Sequence, residues 1–453
     1  MTDPRLDTLL HACPGLRLKT DPADLEHYGR DWTRRWAPAP LAIALPGSVE
    51  EVQAVVRWAN QNTVAVVPSG GRTGLSGGAV AANGELVLSL ERLNKALDFN
   101  AVDRTLTVQA GMPLEAVHNA AREHGLQYPV DFAARGSCSI GGNIATNAGG
   151  LRGAKYGVTR DAVLSVDVVL ADGSLVRLGR PTIKGVTGYD LAGLVVGSEG
   201  TLGIVVAARV RLLPAPQRVA TASAFFATLE DAAHAVAAIA VSGARPAVLE
   251  ILDGATLAAI DDASGTTLRA QGEALLLAQT DGFGAAEEMA VVLAAVAPTA
   301  THHEWTEDAE RAADLLSARR QALPALERTG RPLIEDIAVP RSRLAEAISG
   351  IRLIADRHGV PIFVFGHAGD GNLHPIIVVE PGDGDLPETA VRAADDIFAL
   401  ALSLGGTVTA EHGVGRLKRE WARRELGDDV VRLHDEIKRV FDPRGILNPG
   451  SAY

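Results

Sequence analysis

Residues 41–78 decide the reading: Leu41-Ala-Ile-Ala-Leu45, Pro46-Gly-Ser48, a helical stretch through Trp58, Val64-Ala-Val-Val67, then Pro68-Ser-Gly-Gly-Arg-Thr-Gly-Leu-Ser-Gly-Gly78. The two apolar runs read as strands. Ser48, followed three residues later by Glu51, forms a capping box that opens the intervening helix. The product is a βαβ unit whose second strand runs straight into a glycine loop. Outward from this unit, short β-like runs, helices and frequent glycines continue to about Leu213, where Pro214-Ala-Pro216 breaks the chain. From Ala220 to about Val296, strands alternate with alanine-rich helices. Charged helices are expected over Glu304–Arg328 and Arg341–His358, and a last helix over 417–441. On the N-terminal side, residues 1–40 read as a helical leader ending in Asp31-Trp-Thr-Arg-Arg-Trp36.

The 453 residues suffice for two domains, each burying its own core. A hydrophobic content of 47% with 22% charged residues is ordinary globular composition. The net charge of −12 and the lack of a basic run argue against nucleic acid or an anionic membrane surface as main partner. Cys13 and Cys138 are too few for a disulfide framework or a four-cysteine iron–sulfur cluster, so any electrons must sit on another cofactor. No apolar run reaches membrane-spanning length, and the N-terminus lacks a basic segment followed by a hydrophobic one. The expected location is cytoplasmic, with no transmembrane segment.

Two further glycine clusters follow: Gly136-Ser-Cys-Ser-Ile-Gly-Gly-Asn-Ile-Ala-Thr-Asn-Ala-Gly-Gly150 and Gly197-Ser-Glu-Gly-Thr-Leu-Gly-Ile204. Without Cβ atoms in the way, consecutive backbone amides can approach an anion. Neither the phosphate-loop lysine nor the dinucleotide fingerprint is present. Any one cluster reads equally well as a glycine-rich hairpin. Three clusters, two rich in Ser, Thr and Asn, point to an extended ligand bearing phosphates.

A second kind of chemistry sits near the C-terminus in HAGDGNLH, His367 to His374, followed by Glu411-His412. Pro361-Ile-Phe-Val-Phe365 and Pro375-Ile-Ile-Val-Val379 read as strands joined at Asp370-Gly371. Closing that hairpin would set His367 and His374 face to face across the ladder. With Glu411 as third ligand, the site would keep an open coordination position, as a catalytic metal needs. Zinc is the first candidate and manganese the next. His412, beside a ligand, would serve as base. The bland alternative is a turn flanked by two surface histidines.

The three clusters, Thr187-Gly-Tyr-Asp-Leu191, the histidine hairpin, Glu411-His-Gly-Val-Gly415 and Ile446-Leu-Asn-Pro-Gly450 occur in this order. Together they resemble the FAD-dependent 2-hydroxy-acid dehydrogenases of the vanillyl-alcohol-oxidase superfamily, which include D-lactate dehydrogenase, D-2-hydroxyglutarate dehydrogenase and the glycolate oxidase catalytic subunit. The resemblance implies an α+β protein: a PCMH-type FAD domain of two subdomains over 41–215, then an α+β substrate- and metal-binding domain over 216–453 whose terminal segment touches FAD. Pro68, Ser69, Gly70, Gly71, Arg72, Thr73, Gly74, Leu75 and Ser76 would hold the pyrophosphate. Gly141, Gly142, Asn143, Thr146, Asn147 and Gly150 would line the cofactor with Glu199, Gly200, Gly203 and Ile204, and Asn448 would approach the flavin ring. Superfamily members that tether flavin usually do so through a histidine in the first glycine loop. Residues 68–78 contain none, so FAD is expected to bind without a covalent bond, and Cys138 to pack as a small buried residue. Arg319 matches the position of a substrate-carboxylate clamp; its bland alternative is a solvated arginine beside Arg320.

Three positions depart from the 2-hydroxyglutarate-type pattern, which carries a lysine, a threonine and an asparagine where this chain has Ile334, Leu323 and Ile376. A second substrate carboxylate would find poor company there. The expected reaction is therefore oxidation of a lactate-like D-2-hydroxy acid, with hydride passing to flavin and electrons to an external acceptor. Glycolate oxidase and 2-hydroxyglutarate dehydrogenase are the alternatives within the class. The flavin-dependent ether-lipid synthases carry a histidine run where this chain has Glu411-His412, and a non-catalytic FAD-binding subunit would have no use for a base beside a metal site. A homodimer is compatible with these features.

Overall fold

The computed structural model describes residues 3–382 and 386–452. The chain divides into two compact units: Met1–Gly149, Val158–Ala215 and Glu411–Tyr453 form the first, and Gly150–Gly157 with Pro216–Ala410 the second.

Among the described residues the first unit is built on two larger sheets, with a two-stranded pairing of Leu126–Gln127 and Leu213–Pro214 beside them. In one, Arg17–Lys19 pairs antiparallel with Ala42–Leu45, and Leu86–Ser89 lies between Ala42–Leu45 and Val66–Ser69, parallel to both. The opening βαβ reading therefore holds with one difference: its two strands are not neighbours, because Leu86–Ser89 inserts between them. The second strand also starts later than Val64. The helix between them spans Val49–Asn62, with Ser48 Oγ accepting the Glu51 amide and Glu51 Oε2 accepting that of Gly47. Those bonds satisfy amides that have no partner inside the helix. Its buried face, Val52, Val55, Val56 and Ala59, follows the spacing of an amphipathic helix. The other sheet is antiparallel, in the order Ala96–Asn100, Thr105–Gln109, Ile204–Arg211, Val163–Val169, Leu175–Gly179. One continuous apolar core joins the helix to both sheets. The leader is helical as expected, over Pro4–Ala12 and Pro22–Gly29, but between those helices it also supplies the edge strand Arg17–Lys19.

The second unit is built on an antiparallel sheet ordered Ala300–Thr306, Val219–Phe226, Ala274–Asp281, Val248–Asp253, Ile362–His367, Asn372–Val379, Arg331–Ile334, with Ile337–Ala338 also paired to Asn372–Val379. The helix expected from Glu304 gives way to strand Ala300–Thr306, then helices Ala309–Leu315 and Ser317–Thr329. His302, Glu304 and Trp305 pair with Val219–Phe226, and this long-range ladder overrides the local charge pattern. On one face of the sheet, Ala318, Ala322, Ala325 and Leu326 pack with Leu257 and Ile260 over Leu252, Phe365, Ile376 and Val378. The final helix, Arg419–Phe441, belongs to the first unit and is interrupted at Gly427, whose φ of 74° is non-helical. No helix among the described residues is long and apolar enough to cross a membrane.

Candidate active-site elements

In the first unit the three glycine clusters, far apart in sequence, converge. A Cβ on Gly71 would stand 2.0 Å from the Ser137 carbonyl oxygen, and one on Gly70 would stand 2.3 Å from Ser139 Oγ. The first cluster thus lies directly on the second, which only glycine permits. The third joins both: a Cβ on Gly200 would meet Pro68 Cγ at 2.8 Å, while the amides of Gly197 and Glu199 donate to the carbonyls of Ile144 and Ala145. Gly141 sits against the Ala110 carbonyl, to which its own amide donates. The second cluster forms the short helix Ile140–Thr146, with Ser139 Oγ accepting the Gly142 amide and Thr146 Oγ1 donating to the Gly142 carbonyl. Asn143 is buried in it, and Asn147 caps its end in left-handed backbone and accepts the Arg160 amide. Gly203 packs on Val168, and Ile204 begins its strand.

Asn448 returns from the far end of the chain into this junction. Its amide group donates at 2.8 Å to the carbonyls of both Gly78 and Glu199. Its Oδ1, like Ser69 Oγ, is buried with no hydrogen-bond partner among the described residues. Orphaned polar atoms cost free energy unless a ligand satisfies them. Two of them at a junction of glycine loops, with Gly74 open on its Cβ side, fit a polar cofactor. Thr73, Gly74 and Leu75 are half-buried in the same loop. Arg72 lies against Tyr28, 4.4 Å from the ring centroid, and donates to the Gly70 carbonyl. Cys138 is buried, and burial pushes its thiol up to about 11.

The buried Glu199 side chain also ties distant loops together. Its Oε1 accepts the Val414 amide at 2.7 Å, and its Oε2 accepts the Gly415 amide and the Ser451 hydroxyl. Ser76 Oγ donates to the Gly413 carbonyl at 2.7 Å. Residues of the first and third clusters thereby hold the turn that follows His412. In that turn, His412 Nε2 lies 3.8 Å from Glu411 Oε1.

The second unit carries the histidine hairpin. Ile362–His367 and Asn372–Val379 are joined by the four residues 368–371, and a Cβ on Gly371 (φ +85°) would come within 2.1 Å of the Val339 carbonyl oxygen. The register pairs His374 with Phe365 and His367 with Asn372, so the two histidines are diagonal neighbours rather than opposite one another. Because residues two apart share a face, the rings still meet, with centroids 5.1 Å apart and planes nearly perpendicular. Both are buried.

Each imidazole has a buried carboxylate beside its Nδ1. Glu250, directly opposite His367 on the adjacent strand, places Oε1 2.6 Å from Nδ1. Asp336 Oδ1 lies 3.7 Å from His374 Nδ1 and accepts from Asn372, while its Oδ2 accepts the Thr409 hydroxyl and the Ala410 amide. At His367 the carboxylate bonded to Nδ1 leaves Nε2 as the ligand atom, the usual setting of a metal-binding histidine, so the donor set suits a divalent cation. Arg319 donates from Nε to Glu250 Oε2 at 2.5 Å, and its guanidinium lies 4.8 Å from the Phe365 ring centroid. Leu323, Ile334 and Phe363 border the same apolar cluster as Phe365 and Ile376.

Gly150 groups with the second unit, at the head of the segment 150–157. Arg152, Lys155 and Tyr156 all bind Asp281 at 2.7 Å. Burial pushes the Asp281 carboxyl up, but hydrogen bonds from Lys155 and Tyr156 and the charges of Lys155 and Arg152 outweigh it and hold it below the usual range. Sequence reasoning missed Glu250, Asp336 and Asn372. A signal existed for the first two: the single carboxylate in Val-Leu-Glu-Ile-Leu and the adjacent pair in Leu-Ile-Glu-Asp-Ile-Ala must find partners if those runs are buried.

Comparison with known proteins agrees with both units. Residues 40–179 match the FAD binding domain model, and residues 215–452 match the model of the FAD linked oxidases, C-terminal domain. The chain is 49% identical to a D-2-hydroxyglutarate dehydrogenase of Xanthomonas citri pv. viticola, covering all of this chain and 98% of that one. It is 39% identical to a glycolate oxidase subunit of Bacillus subtilis, covering 94% and 92% of the two chains. The fold matches p-cresol methylhydroxylase with a TM-score of 0.79 at 16% identity, over 99% of this chain and 97% of that one. The chain belongs to the FAD-linked oxidases: it is a FAD-dependent oxidoreductase with the α+β architecture of the PCMH-type flavoproteins.

Proposed function

We propose that the protein oxidises a D-2-hydroxy acid to the 2-oxo acid, with FAD on the first unit and the substrate on the second. The observation that carries this is the polar array that Arg319, from helix Ser317–Thr329, forms with Glu250, His367 and His374 of the sheet. Arg319 presents a guanidinium fork suited to a substrate carboxylate. His367 and His374, with Glu411, would hold a divalent cation, zinc first and manganese next. When both groups are bound, flavin supplies a two-electron acceptor and the cation supplies Lewis acidity toward the substrate hydroxyl. His412 takes the hydroxyl proton, and its turn is kept in place by Ser76 and Glu199. Electrons leave for an external acceptor.

The side chain of the substrate would meet Leu323, Ile334, Phe363 and Ile376, an apolar lining that favours lactate-like acids. The 49% identity to a protein named for D-2-hydroxyglutarate favours that diacid as a second reading. Dye-linked turnover on a panel of D- and L-2-hydroxy acids separates them. D-lactate and its longer apolar homologues are expected to have the higher kcat/KM; preference for D-2-hydroxyglutarate selects the second reading. No turnover by the purified chain with any 2-hydroxy acid overturns both, unless a partner subunit restores it, as for a glycolate oxidase subunit.

A further inference from the structure

Glu250 lies at the centre of strand Val248–Asp253, fully buried in an otherwise apolar run. A carboxylate in that place is costly unless both oxygens are engaged by charged or strongly polar partners. Both are, and by two residues of different assigned duty: Oε1 by His367 Nδ1 and Oε2 by Arg319 Nε. The strand register puts Glu250 opposite His367, and Arg319 descends from helix Ser317–Thr329 onto the same face. Phe365, two residues before His367, supports the guanidinium from below.

We propose that Glu250 is a positioning residue that fixes the metal ligand His367 and the carboxylate clamp Arg319 relative to one another; this rests on the functional reading above. Its two oxygens set two things at once. Accepting from Nδ1 keeps the imidazole proton there and directs Nε2 to the cation. Accepting from Nε orients the guanidinium fork through the edge that the substrate does not need. A carboxylate can do both because it has two acceptor oxygens, whereas an amide has one.

That asymmetry makes Glu250→Gln diagnostic. Arginine can only donate, while a neutral imidazole can exchange its donor and acceptor nitrogens. The glutamine oxygen should therefore stay with Arg319 and its NH2 turn to His367 Nδ1. The imidazole proton then moves to Nε2, the nitrogen that would bind the cation. Zinc titration of the chelator-treated full chain against a metallochromic indicator should show 10- to 100-fold weaker binding, with FAD content and thermal unfolding close to wild type. At saturating zinc, kcat should recover more than KM. Glu250→Asp, with both oxygens but a shorter reach, should recover part of the affinity, and Glu250→Ala should lose both zinc and the low KM.

Zinc affinity and KM both unchanged in Glu250→Gln would overturn the proposal. His367→Ala separates that failure from failure of the metal reading. If wild type binds zinc and His367→Ala does not, while Glu250→Gln binds normally, only the role of Glu250 falls. If His367→Ala and wild type titrate alike, the metal assignment falls and this role with it. Should Glu250→Gln unfold early, Arg319→Lys gives a second reading: it keeps the charge but loses the fork, so KM should rise while zinc affinity holds. An unchanged KM there also counts against the proposal.

Discussion

The Glu199 carboxylate accepts the Gly415 amide at 2.8 Å, and that bond joins the third glycine cluster to the turn that presents His412. Gly415 needs both its lack of a Cβ and its φ of +52°, because a Cβ there would come within 2.0 Å of the Ser76 carbonyl oxygen. One buried carboxylate thus determines where the Glu411-His412 loop lies in the first unit.

Glu199→Ala should destabilise the protein by about 3 kcal/mol, since it strands two buried amides and a hydroxyl. It should lower kcat by a larger factor than it lowers FAD content. Burial raises the Glu199 pKa, although hydrogen bonds from Val414, Gly415 and Ser451 pull it back in part. A raised carboxyl pKa means that the folded state holds its proton more tightly than the unfolded chain. Its contribution is therefore complete below the ordinary glutamate range and is lost as pH rises through the elevated value. Denaturant titrations from pH 4 upward should show wild type losing ground steadily to Glu199→Gln. A pH-independent difference would contradict this.

His412→Ala should keep metal and FAD yet lose on the order of a hundredfold or more in rate, as loss of a general base does. His367→Ala and His374→Ala should lose metal while keeping flavin. Metal analysis beside flavin absorbance distinguishes them. A metal-free His412→Ala with metal-loaded Glu411→Ala would exchange the two roles.

Flavin should leave with the supernatant on acid precipitation. A yellow pellet would contradict non-covalent binding. In the native protein neither thiol should react with a disulfide reagent at neutral pH, because both are buried and the Cys138 thiol is pushed up to about 11. Two thiols should appear on denaturation.

Asp281→Asn should loosen residues 150–157, read as faster hydrogen exchange there than in the surrounding sheet. The Asp281 pKa is lowered in the fold, so its contribution is complete above the ordinary aspartate range, near pH 4, and fades as pH falls below it. The stability gap between wild type and Asp281→Asn should therefore narrow progressively as pH falls below about 4.

What the sequence by itself determined is whatever depends on neighbours within a turn or two. Ser48 and Glu51 marked a helix start that the structure keeps, and the apolar runs around His367 and His374 are strands of a hairpin. Each glycine cluster was visible alone. Their meeting was not, because Gly200 against Pro68 and Gly71 against Ser137 are contacts between segments far apart in the chain. The same limit applied to the histidines. Pattern predicted that they would face each other across the ladder, but register, which sets His374 opposite Phe365 and makes the two diagonal neighbours, comes from the whole ladder. Glu250 stands 117 residues from His367. Its sequence surroundings say only that a buried carboxylate needs partners; which partners it finds is decided by strand order in the folded sheet, where long-range pairing overrules local preference.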